Sequence, residues 1–328
     1  MTILVIGSTG TLGRQIVREL LKHGIKTNCL VRNFKKANFL KEWGANLTYG
    51  DLRLPETIPN NLKGIKTIID CSTFRSEEEI NTLEEIDLIG KLALINSAKI
   101  AKIENFFFFS IKGEGKYENV SFFKLKKKIQ NSLKCSNLNY TIFQIDGFYQ
   151  GLITQYAIPT LEQQKISIFE NSNQYYYINT EDVAKILVKL FLYYSSLTNI
   201  KNKIIEINGP KIADSEIIIK LTEEFSGQKT KVEKISQSFL EISKNVLSLG
   251  SISKEIYNRL SFNKIFNAEK NSLDQKKLKF TDETIIVKKQ DITFLDNYLE
   301  EYFKSMLEKL RTLNYDQSQI SKRKNLIF

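Results

Sequence analysis

The stretch "TILVIGSTGTLGRQIVRELLKHG", residues 2–24, decides the fold. "TILVIG" (2–7) is an unbroken apolar, β-branched run, the pattern of a strand buried on both faces. Beyond it, Leu12, Ile16, Val17, Leu20 and Leu21 recur at helical spacing until Gly24 stops the helix. The turn between them holds Gly7, Gly10 and Gly13. Gly7 suits a tight turn, Gly10 lets backbone approach a pyrophosphate, and Gly13 lets helix and strand pack closely. The segment Gly7, Ser8, Thr9, Gly10, Thr11, Leu12, Gly13 is therefore a candidate dinucleotide loop, with the free N–H groups of a helix N-terminus facing the phosphates. The alternative, a glycine-rich turn that binds nothing, leaves three conformationally costly glycines unexplained.

Working outward, strand-like runs follow at 26–33, 46–52, 66–73, 105–110 and 140–146, separated by helical segments such as "KANFLKEWG", "IDLIGKLALINSAKIAKI" and "SFFKLKKKIQNSLKCS". Alternation of this kind predicts βαβ units and a doubly wound parallel sheet of the Rossmann-like α/β class. After residue 150 the pattern loosens. "KISIFE", "QYYYIN" and "KIIEING" read as strands, and Thr180 is expected to cap the helix "TEDVAKILVKLFLYY". Residues 230–275 read as mostly helical, 278–287 as a strand, 292–310 as a strong amphipathic helix, and the tail "SQISKRKNLIF" as frayed. The expected division is a nucleotide-binding domain over 1–235 and a smaller, mainly helical subdomain over 236–328.

Ligands bind at the carboxyl ends of parallel strands, and this locates the rest of a site. After the second strand, where a carboxylate would bind the ribose 2′-hydroxyl of NAD, the chain has Arg32. A guanidinium suits a 2′-phosphate, so NADP(H) is expected, with NAD(H) the alternative should Arg32 and Lys35 be simple surface charges. Asp51 and Leu52 follow the third strand on the adenine side; Cys71, Ser72 and Thr73 follow the fourth on the ribose and nicotinamide side.

The proton relay of an ordinary nicotinamide reductase needs a Tyr four residues before a Lys, on one helix face. In "VSFFKLKKK" (120–128) the best register pairs Phe122 with Lys126. A phenyl ring carries no proton to give, so no catalytic residue is assigned. Lys126 is left as the residual candidate, holding ribose or acting as an acid if desolvated. Ser110 and Tyr117 are the remaining hydroxyls nearby.

Composition closes other routes. With 1 His and 3 Cys without CxxC spacing, zinc chemistry and His-based triads lack material. Cys29, Cys71 and Cys135 read as small buried hydrophobes, and His23 as a helix C-terminal neighbour. A strand beginning at residue 3 predicts no signal or transit peptide, and no apolar run reaches membrane-spanning length. The net charge of +11 favours anionic partners. No nucleic-acid motif accompanies it, so a solvated basic surface is expected rather than nucleic-acid binding. Aromatics at 147–177 (Phe148, Tyr149, Tyr156, Tyr175, Tyr176, Tyr177) suit either a protein interface or a small core.

The GxxGxxG spacing, with "LVRN", "YGDL" and "NYTIFQIDGFYQGLITQYAIPTLEQQ", resembles the NmrA-like branch of atypical short-chain dehydrogenase/reductases. More narrowly, it looks like that branch's plastid-encoded and cyanobacterial photosystem II assembly factors, most specifically in "GFYQGLITQYAIP" (147–159). The resemblance implies a Rossmann-like fold without the catalytic Tyr. It also implies a role in reaction-centre assembly and chlorophyll supply, with small chlorophyll-binding proteins as partners. The implied location is peripheral, on the stromal face of a plastid thylakoid, and the Ile/Lys/Asn bias fits such a gene. The other readings are an NADPH-dependent reductase of the isoflavone-reductase kind and a nucleotide-sensing regulator.

Overall fold

A computed structural model describes residues 2–73, 84–112, 121–169, 174–193, 200–235 and 292–324. Strands β1 (Thr2–Ile6), β2 (Lys26–Val31), β3 (Asn46–Tyr49), β4 (Thr67–Asp70), β5 (Asn105–Ile111) and β6 (Tyr140–Ile145) are joined by helical crossovers. With β10 (Lys203–Glu206) they form one seven-stranded sheet in the order β10-β6-β5-β4-β1-β2-β3. Every pairing in it is parallel. The order reverses between β1 and β4, which opens a crevice at their carboxyl ends.

Both faces of the sheet are buried, which explains its unbroken apolar runs. Ile3, Val5, Phe107, Phe109, Phe143 and Ile145 enter one core, covered by α1 (Thr11–Lys22) and α7 (Thr180–Tyr193). Leu4, Ile6, Phe106, Phe108 and Ile142 enter the other, covered by α3 (Lys91–Ile100) and α4 (Ser121–Lys134). The run "FFFFS" thus alternates strictly between two hydrophobic layers. Each such side chain contributes about 1.5–3 kcal/mol through burial. Cys29 is fully buried in the first layer and Cys71 half-buried, but Cys135, expected to be buried, is exposed just past the end of α4; all three are free thiols. His23 is the C-cap residue of α1, with its Nδ1 donating to the Glu19 carbonyl at 2.9 Å.

A second lobe has its own core. α5 (Tyr149–Leu152), a π-helical turn (Ile153–Ala157) and α6 (Ile158–Leu161) run as one bent helical segment. They pack with β8 (Lys165–Phe169), α8 (Ser215–Ser226) and α9 (Leu295–Lys324) through Tyr149, Tyr156, Ile166, Ile168, Ile218, Leu299 and Phe303. The short pair β7 (Gly147–Phe148) and β9 (Tyr177–Ile178) lies at its entrance.

Four local expectations need correction. β11 (Lys231–Ile235) is a strand where helix was expected, because the edge of β8 offers it a parallel ladder. Asn179 rather than Thr180 caps α7, its side chain accepting from Glu181 N at 3.0 Å. The expected helix over 86–103 begins as a π-helical turn, Glu85–Gly90. α9 continues to Lys324, through part of the tail expected to fray. Of residues 236–328, those at 236–291, including the expected strand at 278–287, and those at 325–328 lie outside the described residues. Among the described residues no helix is long and apolar enough to cross a membrane.

Candidate functional site

The crevice at the sheet's switch point opens into a cleft of about 900 Å³ that reaches the second lobe. One wall is the β1–α1 loop. Gly7 has φ +76°, and a Cβ there would lie 2.7 Å from the Ser72 nitrogen. A Cβ on Gly13 would overlap the Gly7 carbonyl oxygen. Both positions therefore exclude any other residue, and the loop lies flat against the end of β4. Gly10 stands at the N-cap of α1 in extended conformation, with no side chain capping the first turn. The N–H groups of that turn thus meet the cleft without a competing side-chain acceptor.

Gly7, Thr9, Gly10, Thr11, Leu12, Arg32, Asp51, Leu52, Cys71, Ser72, Thr73 and Lys126 all line the cleft. Ser8 and Gly13 are buried beneath the loop instead. Arg32 is exposed at the rim where β2 ends. Asp51 is engaged by Arg53, whose Nε donates to the two carboxylate oxygens at 3.0 and 2.9 Å. Burial pushes that carboxyl up, but the Arg53 hydrogen bonds and charge outweigh it and hold it below the usual range. The Cys71 thiol is driven well up by burial and then by Asp70.

Phe122 is half-buried in the cleft wall, its ring centroid 5.3 Å from the Lys126 ammonium, so it faces the site rather than the core. Lys126 is 4% exposed and also lies over the Phe108 ring at 5.2 Å. Ser110 lines the cleft and accepts a hydrogen bond from Gln130 Nε2 at 3.0 Å. Tyr117 lies outside the described residues.

Behind the wall stands a charge cluster that sequence reasoning missed. Lys91 Nζ donates to Asp70 Oδ2 and to the Ser72 carbonyl, both at 2.7 Å. Asp70 Oδ1 accepts from the Ser72 nitrogen at 2.9 Å and from its hydroxyl at 2.5 Å. Asp87 accepts from Lys126 at 3.3 Å and from the Thr73 hydroxyl at 3.2 Å, with Lys91 at 3.9 Å. Asp70, Asp87 and Lys91 are each at most 1% exposed. One signal was present: in "IDLIGKLALI" an Asp and a Lys four apart interrupt an apolar helix, and buried charges need partners.

The far wall comes from the second lobe: Phe148, Gln155, Tyr156, Ser167, Ile168, Tyr175, Tyr177 and Ser215. The Tyr156 hydroxyl and Ser215 Oγ are 2.9 Å apart. Burial raises the Tyr156 and Tyr177 phenols, so both remain protonated near neutrality. The aromatics of 147–177 thus divide between a small core and a cleft wall.

A parallel sheet with this switch-point crevice, glycine loop and uncapped helix defines a protein of the doubly wound α/β class, the crevice being where such folds place their ligands. The chain belongs to the NmrA-like family, whose profile matches residues 1–318. It is 41% identical over 331 aligned residues, all of both chains, to a protein of Trieres chinensis named photosystem II assembly factor Ycf39. It is 35% identical to the Arabidopsis thaliana protein named high chlorophyll fluorescence phenotype 244, chloroplastic, covering 97% of this chain and 78% of that one. In fold it is similar to an Escherichia coli NADPH-dependent quinone oxidoreductase solved with NADPH. That likeness has a TM-score of 0.69 and 16% identity, covering 92% of this chain and 99% of the other.

Proposed function

We propose that this chain is a photosystem II assembly factor that carries NADP(H) in its cleft as a bound cofactor, without a Tyr proton relay. The observation that carries the reading is end-to-end similarity to the assembly factor from Trieres chinensis. The cleft supports its second part. The close-packed Gly7 and Gly13 and the uncapped first turn of α1 fit a pyrophosphate. In this reading Arg32 takes the 2′-phosphate, Asp51 and Leu52 the adenine side, and Cys71, Ser72, Thr73 and Lys126 the ribose and nicotinamide side, and their lining of one cleft supports it. When bound, NADP(H) supplies a hydride. The chain's own residues bind and orient it, with Phe122 where the acid of a typical reductase would stand. Reaction-centre assembly intermediates and small chlorophyll-binding proteins are the proposed partners, with chlorophyll delivery the proposed service. The chain's +11 charge suits peripheral contact with an anionic membrane on the stromal face of a plastid thylakoid.

Affinity purification of the tagged chain from thylakoids, with proteins, pigments and dinucleotide analysed in one eluate, tests this. Recovery of reaction-centre subunits with NADP(H) is expected; an eluate with neither overturns the proposal. A second reading, NADPH-dependent reductase, is favoured by Lys126 standing on the cleft wall beside Phe122. It requires steady NADPH oxidation by the pure protein with a quinone, lost in Lys126→Ala.

A further inference from the structure

The cleft wall that would meet the ribose and nicotinamide is made of Ser72, Thr73 and Lys126, and none of the three stands alone. Ser72 is fixed from behind by the Asp70–Lys91 pair, through its nitrogen, its hydroxyl and its carbonyl. Thr73 and Lys126 come from different parts of the chain, the end of β4 and the middle of α4, and both donate to the Asp87 carboxylate. Asp87 lies in a π-helical turn at the start of its helix, and π turns of this kind concentrate at functional sites. The group holds two Asp and two Lys, so it is neutral as a whole and can be buried without a net charge.

We propose that Asp87 is a positioning residue for dinucleotide binding: its carboxylate accepts from both Thr73 and Lys126 and so ties these two parts of the cleft wall together. The inference rests on the cofactor reading above. Burial drives the Lys126 ammonium below the usual lysine range, Asp87 opposes that drive, neighbouring Lys91 adds to it and Asp70 offsets part of it. Among the described residues, the charged and titratable groups facing Lys126 are Asp87 and Lys91 from the π turn and α3, and Asp70 and Cys71 from the end of β4. The Phe108 and Phe122 rings take up further space around the ammonium. Removing the Asp87 charge leaves Lys91 as the nearer influence, so the Lys126 proton is lost at lower pH.

The test is NADPH affinity of the full chain, by calorimetry, from pH 6 to 9.5. Asp87→Asn is expected to bind about tenfold more weakly, the loss of one charge-assisted hydrogen bond. Its affinity is also expected to fall with rising pH at least one unit earlier than in the unaltered chain. Asp87→Glu should restore most of both, and the early alkaline fall should vanish in Asp87→Asn combined with Lys126→Met. A role confined to packing would weaken binding equally at every pH, and parallel profiles overturn the inference. Should Asp87→Asn fail to fold, Thr73→Val cuts the wall tie alone. It must then weaken NADPH binding with an unaltered pH profile, and unchanged affinity overturns the inference. No NADPH binding by the unaltered chain sinks the cofactor reading and this inference together. Binding by the unaltered chain with a parallel profile for Asp87→Asn sinks this inference alone.

Discussion

At the residue scale, Gly13 of the loop and the buried thiol of β2 carry the sharpest predictions. Gly13→Ala drives a methyl group into the Gly7 carbonyl. It should cost about 1–3 kcal/mol in denaturant unfolding, the usual range for overpacking, and abolish NADPH binding by lifting the loop from Ser72. Retained affinity would show that the loop does not cradle the dinucleotide. Cys29 supplies a pH prediction. Burial raises its thiol from 9.0 to about 12. A group whose folded value is raised contributes stability that is complete below the unfolded value and is lost as pH rises toward the folded one. The chain should thus lose stability above about pH 9, and Cys29→Ala should flatten that slope by about 1.4 kcal/mol per pH unit. Equal slopes in urea titrations at pH 8.5, 9.5 and 10.5 would refute this.

At the element scale, the second lobe depends on how its helices are tied. Asp214 caps α8, accepting from Ile217 N at 2.9 Å, and also receives Gln174 Nε2 at 3.3 Å. Asp214→Ala should cost about 1 kcal/mol. α9 is anchored twice at its start: Thr293 N donates to Asp182 of α7, and the Thr293 carbonyl accepts from the Tyr149 hydroxyl. Its Leu299 lies fully in the second lobe's core. Leu299→Ala should cost about 2–5 kcal/mol, the range for a leucine truncated in a packed core. Limited proteolysis should then cut near α9 while leaving the sheet intact; unaltered protection would mean that α9 is dispensable to the lobe.

At the scale of the whole molecule, the cleft joins the sheet to the second lobe, so a ligand bound there adds its free energy to both. A dinucleotide at about 100 times its dissociation constant should stabilise the chain by about 2.7 kcal/mol. The rise in melting temperature should be larger for NADPH than for NADH, and Arg32→Ala should remove that difference. Equal shifts for the two dinucleotides in the unaltered chain would show that Arg32 is only a surface charge.

Residues 2–24 determined the sheet's first unit by themselves. Strand period, helix period and the glycine positions are local properties, each set by neighbours within a few residues. The same held for the runs "FFFFS" and "TIFQI", whose unbroken apolarity signals burial on both faces. That the loop, Arg32, Asp51 and Ser72 line one cleft followed from the strand order, because parallel strands leave their crevice at the switch point. What the chain could not reveal locally was pairing at a distance. β11 takes its conformation from β8, more than 60 residues earlier, and Asp87 takes its role from Thr73 and Lys126 on two other elements. Phe122 became part of a cleft wall only once α4 had docked on the sheet. Local chemistry sets what each segment can become. Only the tertiary structure decides which buried charges meet, because their energies depend on separation in space and on removal from water.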